Sequence, residues 1–285
     1  MPPAPEENAG RRPHRVHLEG VEETLLLPLY AKALDSRSKH PILGDVKADE
    51  MVRAIDYDFE KLHRFGNGDV MVVRARQIDE WVREFLSSNP NAAVLNVGCG
   101  LDARVSRIGP PPGVSWFDLD FPEVIAERRN FFSDGQGYRM VESSITDPKW
   151  LERVPGDRPV LVVADGVMEY LTEDEVKAFL NRVTGRFARG QVVFDVMNSY
   201  AVERGRSSLK QTMGTAHRWA VDDVRAVDGM DPLLRRVSSM TVFRSRYFPL
   251  RFRVVFGAAS LVPSFGNTMR LLRYEFGPAA SDRVG

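Results

Sequence analysis

Val94-Leu95-Asn96-Val97-Gly98-Cys99-Gly100-Leu101-Asp102-Ala103-Arg104 is the stretch on which the fold turns. The apolar run Val94, Leu95 and Val97 predicts a short strand buried on both faces of a parallel sheet. Gly98 and Gly100 let the backbone take angles closed to other residues and admit a ligand close to the main chain. The helix expected next offers that ligand its free N–H groups and the positive end of its dipole. One strand later, Ser115-Trp116-Phe117-Asp118-Leu119-Asp120 repeats the apolar run and closes on a carboxylate. An acid roughly 20 residues past such glycines is where a ribose is held by its hydroxyls. The two pieces together predict a site for a nucleoside-containing cofactor. Read literally, Gly98-x-Gly100-x-x-Ala103 also fits the dinucleotide fingerprint, which keeps NAD open. Asp120 has a second reading as the cap of a helix starting near Pro122, and its two oxygens allow both roles.

Strands and helices continue to alternate beyond this point. Strands are expected near Tyr138 to Glu142, Val160 to Ala164 and Gln191 to Met197, with helices near Pro122 to Phe132, Asp147 to Arg153 and Thr172 to Phe187. Thr172 with Glu175 makes a capping box that marks a helix start. This order demands an α/β fold with a parallel, doubly wound, Rossmann-like sheet. Val237 to Phe243 and Met269 to Phe276 add a hairpin-like pair at its edge, making about seven strands. Ligands of such sheets sit beyond the carboxyl ends of the strands, so the turns after Val97, Asp120, Glu142 and Ala164 should border one cleft.

The sheet is preceded by helical patterning. Leu18 to about Asp35 reads as helix, with Pro28 ending one helix or starting another, and Ala48 to Asp56 reads as a second. Val70 to Leu86 is amphipathic, with Val73, Ile78, Trp81, Val82 and Phe85 on its apolar face. The expected organisation is a loose tail over 1–17, a helical cap over 18–90, and a Rossmann-like domain over 91–285. That domain carries a helical insertion at about 199–232, a candidate lid over the cleft. Arg244 to Asn267 mixes basic residues with Tyr247, Phe248, Phe252 and Phe256. It reads either as a loop packing aromatics over the core or as a nucleic-acid patch.

Composition narrows the function classes. The 285 residues are 43% hydrophobic and 27% charged, and 39 basic residues balance 39 acidic ones. Such a chain has no global field to draw it to nucleic acid or an acidic membrane. Its one cysteine, Cys99, excludes an internal disulfide and a cysteine-rich metal site, and no metal site is expected. No apolar run is long enough for a membrane span, and the N-terminus lacks a signal peptide's apolar region. A cytoplasmic protein with a small-molecule partner is expected.

Several motifs together resemble the leucine carboxyl methyltransferase family. They are Arg74-x-Arg76-x-x-Asp79, the glycine stretch above, Trp116 to Val124, Ser143-Ser144-Ile145-Thr146-Asp147, and Asp165-Gly166-Val167-Met168-Glu169-Tyr170-Leu171. Pro28 to Arg37 is similar to the branch that O-methylates bacterial polyketides. The likeness runs from about Thr24 to Asp195. It implies a class I methyltransferase using S-adenosyl-L-methionine. Carried over residue by residue, Arg74 holds the cofactor carboxylate, Gly98 and Gly100 form the glycine turn, and Asp120 binds the ribose. Ser144 and Ile145 line the adenine. Asp165 lies near the methionyl end, where the family usually has the longer glutamate.

The chemistry agrees with this set. The cofactor carries a carboxylate, an ammonium and a sulfonium, so its site needs one positive partner and at least one negative partner. The forked guanidinium of Arg74 suits the carboxylate, and Asp165 or a backbone carbonyl suits the ammonium. Plainer readings stand beside these. Arg74 also reads as a solvated arginine, Arg76 and Asp79 as an intrahelical ion pair, and Asp147 as a helix cap. Tyr170 either orients the acceptor or packs, and His217 is either a base for a hydroxyl acceptor or simply exposed. The expected reaction is O-methylation of a small, polyketide-like metabolite, with a carboxylate the first choice because it needs no base. Protein C-terminal carboxyl methylation, NAD-dependent oxidoreduction and a non-enzymatic cofactor-binding scaffold are the alternatives.

Overall fold

The computed structural model describes residues 25–65, 68–204, 217–248, 254 and 267–278. The expected tail over 1–17, the helix start at Leu18, and Phe252 and Phe256 fall outside them.

Among the described residues, three α-helices precede the sheet: α1 (Leu26–Ser36), α2 (Val46–Ala54) and α3 (Gly68–Ser88). Pro28 lies in the first turn of α1, where its missing N–H has no partner to lose. The Asp35 carboxylate accepts from the amides of Ile42, Leu43 and Gly44 at 2.7–2.9 Å, which shapes the loop into α2. Asp45 then caps α2 through the Ala48 amide at 3.0 Å.

Five strands run parallel: β1 (Ala93–Val97), β2 (Ser115–Asp120), β3 (Tyr138–Glu142), β4 (Val160–Ala164) and β5 (Gly190–Met197). The sheet is completed by β6 (Arg235–Thr241) and β7 (Met269–Phe276), in the order β3-β2-β1-β4-β5-β7-β6. The last two strands pair with each other as expected, but β7 lies between β5 and β6 and is antiparallel to both. Between strands run α4 (Arg104–Ile108), α5 (Pro122–Arg128) and α6 (Glu173–Arg186). The capping box at Thr172 and Glu175 is present.

Alternation along β1 divides the core. Ala93, Leu95 and Val97 join Trp150, Phe179 and Phe194 on one face of the sheet. Val94 joins Trp116, Val163 and Leu271 on the other face, under Val73, Ile78, Trp81, Val82 and Phe85 of α3. Every apolar position predicted for α3 is buried, and each such side chain contributes roughly 1.5–3 kcal/mol. α1 and α2 bury a separate cluster that includes Leu101 and Ala103, so these helices rest directly on the glycine turn.

The inserted region is helical over 199–204 and again at Arg225–Asp228. Between them, residues 205–216 lie outside the described set. Its returning segment docks on the sheet, with the Val221 amide donating to the Met197 carbonyl at 2.8 Å. Tyr247 and Phe248 follow the aromatic-loop reading: Phe248 is buried and stacks on Phe243 at 6.3 Å, and Tyr247 donates to Glu80 at 2.7 Å.

Candidate cofactor site

The site is built around the turn that leaves β1. Gly98 and Gly100 have φ of +61° and +51°, a region that residues with a Cβ rarely enter. A Cβ on Gly98 would overlap Val167 Cγ2, and one on Gly100 would lie 3.0 Å from Leu25 Cδ2. The Gly100 amide donates to Asp120 Oδ2 at 2.7 Å. From below, Arg128 Nη1 donates to the carbonyls of Gly100 and Asp102 at 2.9 and 2.8 Å. Arg128 is fully buried and pairs with Asp118, which also accepts from Asn96, Trp116 and Tyr138 at 2.7–2.9 Å. A buried polar network thus fixes the turn at the carboxyl end of the sheet.

Asp120 closes β2 beside this turn and receives the Phe121 amide on Oδ1 at 2.8 Å. The helix-cap reading of Asp120 does not hold, because Phe121 is the N-cap of α5 and Pro122 its first residue. The next strand end carries Ser144, half-buried and bonded to Thr146 Oγ1 at 2.8 Å, and buried Ile145. The Ser143 amide donates to the Asp120 carbonyl at 2.9 Å, so this loop runs directly beside Asp120. Asp147 takes the cap reading and accepts from the Lys149 amide at 3.0 Å.

The charged part of the site surrounds Arg74. The solvated reading of this residue fails: it is 6% exposed. Its Nε lies 2.6 Å from Asp165 Oδ1 and its Nη1 lies 2.8 Å from Asp195 Oδ2. Asp165 also accepts from Arg104 Nη2 at 2.7 Å. Burial works against ionisation of Asp165, but the adjacent Arg74 and Arg104 outweigh it and hold the carboxyl below its ordinary range. Arg104 in turn meets Asp79 at 2.8 Å, as does Arg107. The expected Arg76–Asp79 pair is therefore absent: Asp79 is committed to two arginines of α4, and Arg76 lies over the Tyr247 ring at 5.1 Å. Lys32 of α1 reaches Asp102 at 3.1 Å, tying the N-terminal helices to the turn.

Past Asp165 the chain makes the short turn Met168–Tyr170. Tyr170 packs edge to face with His217 at 5.3 Å, so these two predicted acceptor-side residues are neighbours. His217 is buried, contrary to the exposed reading, because the amides of Arg218 and Trp219 bond to the Glu169 carbonyl at 2.7 and 3.3 Å. Glu169 and Asp195 had no role in the sequence reading. Asp195 left a trace there, as the one charged residue in Val192-Val193-Phe194-Asp195-Val196. Glu169 left none, since only the tertiary contacts bury it.

Residues 26–184 match the sequence profile described as leucine carboxyl methyltransferase. The chain belongs to this family. A curated relative, the tetracenomycin polyketide synthesis O-methyltransferase TcmP of Streptomyces glaucescens, is 38% identical over 268 residues, covering 92% of this chain and 98% of that one. A second, the S-adenosyl-L-methionine-dependent methyltransferase dpfgK of Gibberella zeae, is 34% identical over 83% of this chain and 85% of its own. In fold, the chain is similar to the crystal structure of a protein from Thermobifida fusca YX. The TM-score is 0.58 and the identity 14%, with 87% and 94% of the two chains covered. The chain is thus an S-adenosyl-L-methionine-dependent methyltransferase, and the NAD reading falls.

The residues present fit that cofactor. An acid, Asp120, closes its strand against a turn of positive-φ glycines, and the buried Glu169 Oε2 has no hydrogen-bond partner among the described residues. Among the described residues no helix is long and apolar enough to cross a membrane.

Proposed function

We propose that this enzyme methylates an oxygen of a small, polyketide-like acid in the cytoplasm, with a carboxylate as acceptor and a methyl ester as product. The observation that carries the reading is the 38% identity to a polyketide O-methyltransferase across 98% of that relative's length. Arg74, Gly98, Gly100, Asp120, Ser144, Ile145 and Asp165 line the cofactor site, and Tyr170 and His217 face the acceptor. When bound, the cofactor supplies an electrophilic methyl group on a sulfonium.

The chain's own contribution is positioning. A carboxylate is already ionised at neutral pH, so the enzyme need only hold it in line with the methyl group and exclude water. The paired rings of Tyr170 and His217 form a wall for that purpose. A hydroxyl acceptor would require His217 to take a proton.

A panel of polyketide acids, phenols and a peptide ending in leucine, each incubated with labelled methyl donor, tests the reading. Label on an acid, released by mild base, is expected. Base-stable label means an ether and moves the assignment to hydroxyl. Label on the peptide alone moves it to protein C-terminal methylation.

A further inference from the structure

The site holds more negative charge than its own cations use. Asp165 at the end of β4 and Asp195 on β5 contact the Arg74 guanidinium, and Glu169, in the turn after β4, acts on its charge as well. Both oxygens of Asp165 have a cation against them: Oδ1 lies 2.6 Å from Arg74 Nε, an ion pair without hydrogen-bond geometry, and Oδ2 accepts from Arg104 at 2.7 Å. Asp195 is engaged as well, accepting from Arg74 Nη1 at 2.8 Å and from the Gly166 amide at 2.7 Å. Glu169 differs: it is 5% exposed, and its Oε2 is buried with no hydrogen-bond partner among the described residues.

A buried carboxyl oxygen left in this state is costly unless something fills its place. Lone positive charge is what the surroundings favour, because the neighbouring arginine is already shared between two other acids. The cofactor brings such a charge on its methionyl arm. We propose that Glu169, and not Asp165, supplies the carboxylate that meets the cofactor's ammonium group. The inference rests on the cofactor site described above and is independent of the acceptor.

The electrostatics agree. Burial, then Asp195, push the Glu169 carboxyl up to about 8, with Arg74 opposing and Asp165 adding to the rise. Among the described residues, His217, packed on Tyr170, and Arg218, bonded through its amide to the Glu169 carbonyl, are further titratable or charged groups beside it. At neutral pH the free enzyme therefore keeps a proton on Glu169. An arriving ammonium favours the carboxylate, and that proton passes to the buffer.

Calorimetry on the full chain tests this without turnover. S-adenosylhomocysteine and its deaminated analogue are titrated at pH 7 in two buffers of different ionisation heat. Wild-type enzyme is expected to release about one proton on binding the amine-bearing ligand, and to prefer it over the analogue by about tenfold or more. Glu169→Gln is expected to release none and to lose most of that preference, a coupling read as in a double-mutant cycle. An unchanged preference in Glu169→Gln overturns the proposal, as does the absence of proton release from wild type, a measurement that needs no variant. Asp120→Asn separates the two levels of the argument. If it leaves binding unaffected, the cofactor site itself is misplaced; if it weakens binding while Glu169→Gln keeps full discrimination, only the role of Glu169 is lost.

Discussion

The Gly100 amide and Asp120 Oδ2 meet at 2.7 Å, joining the turn after β1 to the acid that ends β2. Asp120 therefore serves two masters: it holds the backbone of the turn and faces the opening where a ribose would lie. Its other oxygen is engaged by the Phe121 amide. In the proposed site, the side chain assigned to the ligand also sets the shape of the surface the ligand would land on.

Asp120→Asn should separate these roles only partly. Asparagine has one acceptor oxygen for two backbone donors, so one amide loses its partner at about 1–3 kcal/mol. Binding of S-adenosylhomocysteine, measured by calorimetry, should weaken by about ten- to a hundredfold, with a lower melting temperature. Wild-type affinity in this variant would show that the acid is not at the ribose.

Arg74→Ala should damage the fold as much as the site. Removing the guanidinium leaves Asp165 and Asp195 buried without their shared cation, and breaking such a pair costs about 3–5 kcal/mol. Denaturant unfolding should show that loss, and adding Asp195→Asn should recover part of it. Equal stability of wild type and Arg74→Ala would mean that these pairs do not hold in solution.

Gly98→Ala combines two penalties that a second substitution can pull apart. The new Cβ overlaps Val167, and the residue must hold φ at +61°. The conformational part alone costs about 1–2 kcal/mol. Val167→Ala in the same chain should relieve the overlap and leave that remainder, visible as a partial recovery of melting temperature and cofactor binding. No recovery would mean that Val167 does not limit the approach to the turn.

Much of this architecture was legible because its signals are local. The run at Val94 to Val97, the acid six residues into β2, and Thr172 with Glu175 each declare themselves within a few positions, through period, end residue or capping spacing. The ion pairs were not legible in the same way. Helical spacing pairs Asp79 with Arg76, its neighbour on the helix, but its partners Arg104 and Arg107 lie 25 and 28 residues away. Arg74 was recognised by resemblance, yet its engagement with Asp195, 121 residues on, follows only from the sheet order that brings β5 beside β4. Glu169 sits within a motif but carries no sequence signal of a role, because nothing short of the packing reveals that it is buried.

Stability should carry the mark of Glu169 across the pH range. Its carboxyl titrates near 4.5 when unfolded and is raised to about 8 when folded. The folded chain therefore holds the extra proton in that window, and stability falls as pH rises from 4.5 to 8. Glu169→Gln removes this term, so its melting temperature relative to wild type should climb through the window and level off above it. Parallel curves for the two proteins would show that Glu169 titrates normally.

The position of β7 bears on how the protein is made. The strand at Met269–Phe276 is the last described element of the chain, yet it is wedged between β5 and β6 and hydrogen-bonds to both. During synthesis β5 and β6 leave the ribosome first and must wait with open edges until that wedge arrives. Unfilled edges invite pairing with other chains. Nascent chains stalled before Met269 should thus be the species that chaperones retain, while release past Phe276 closes the sheet.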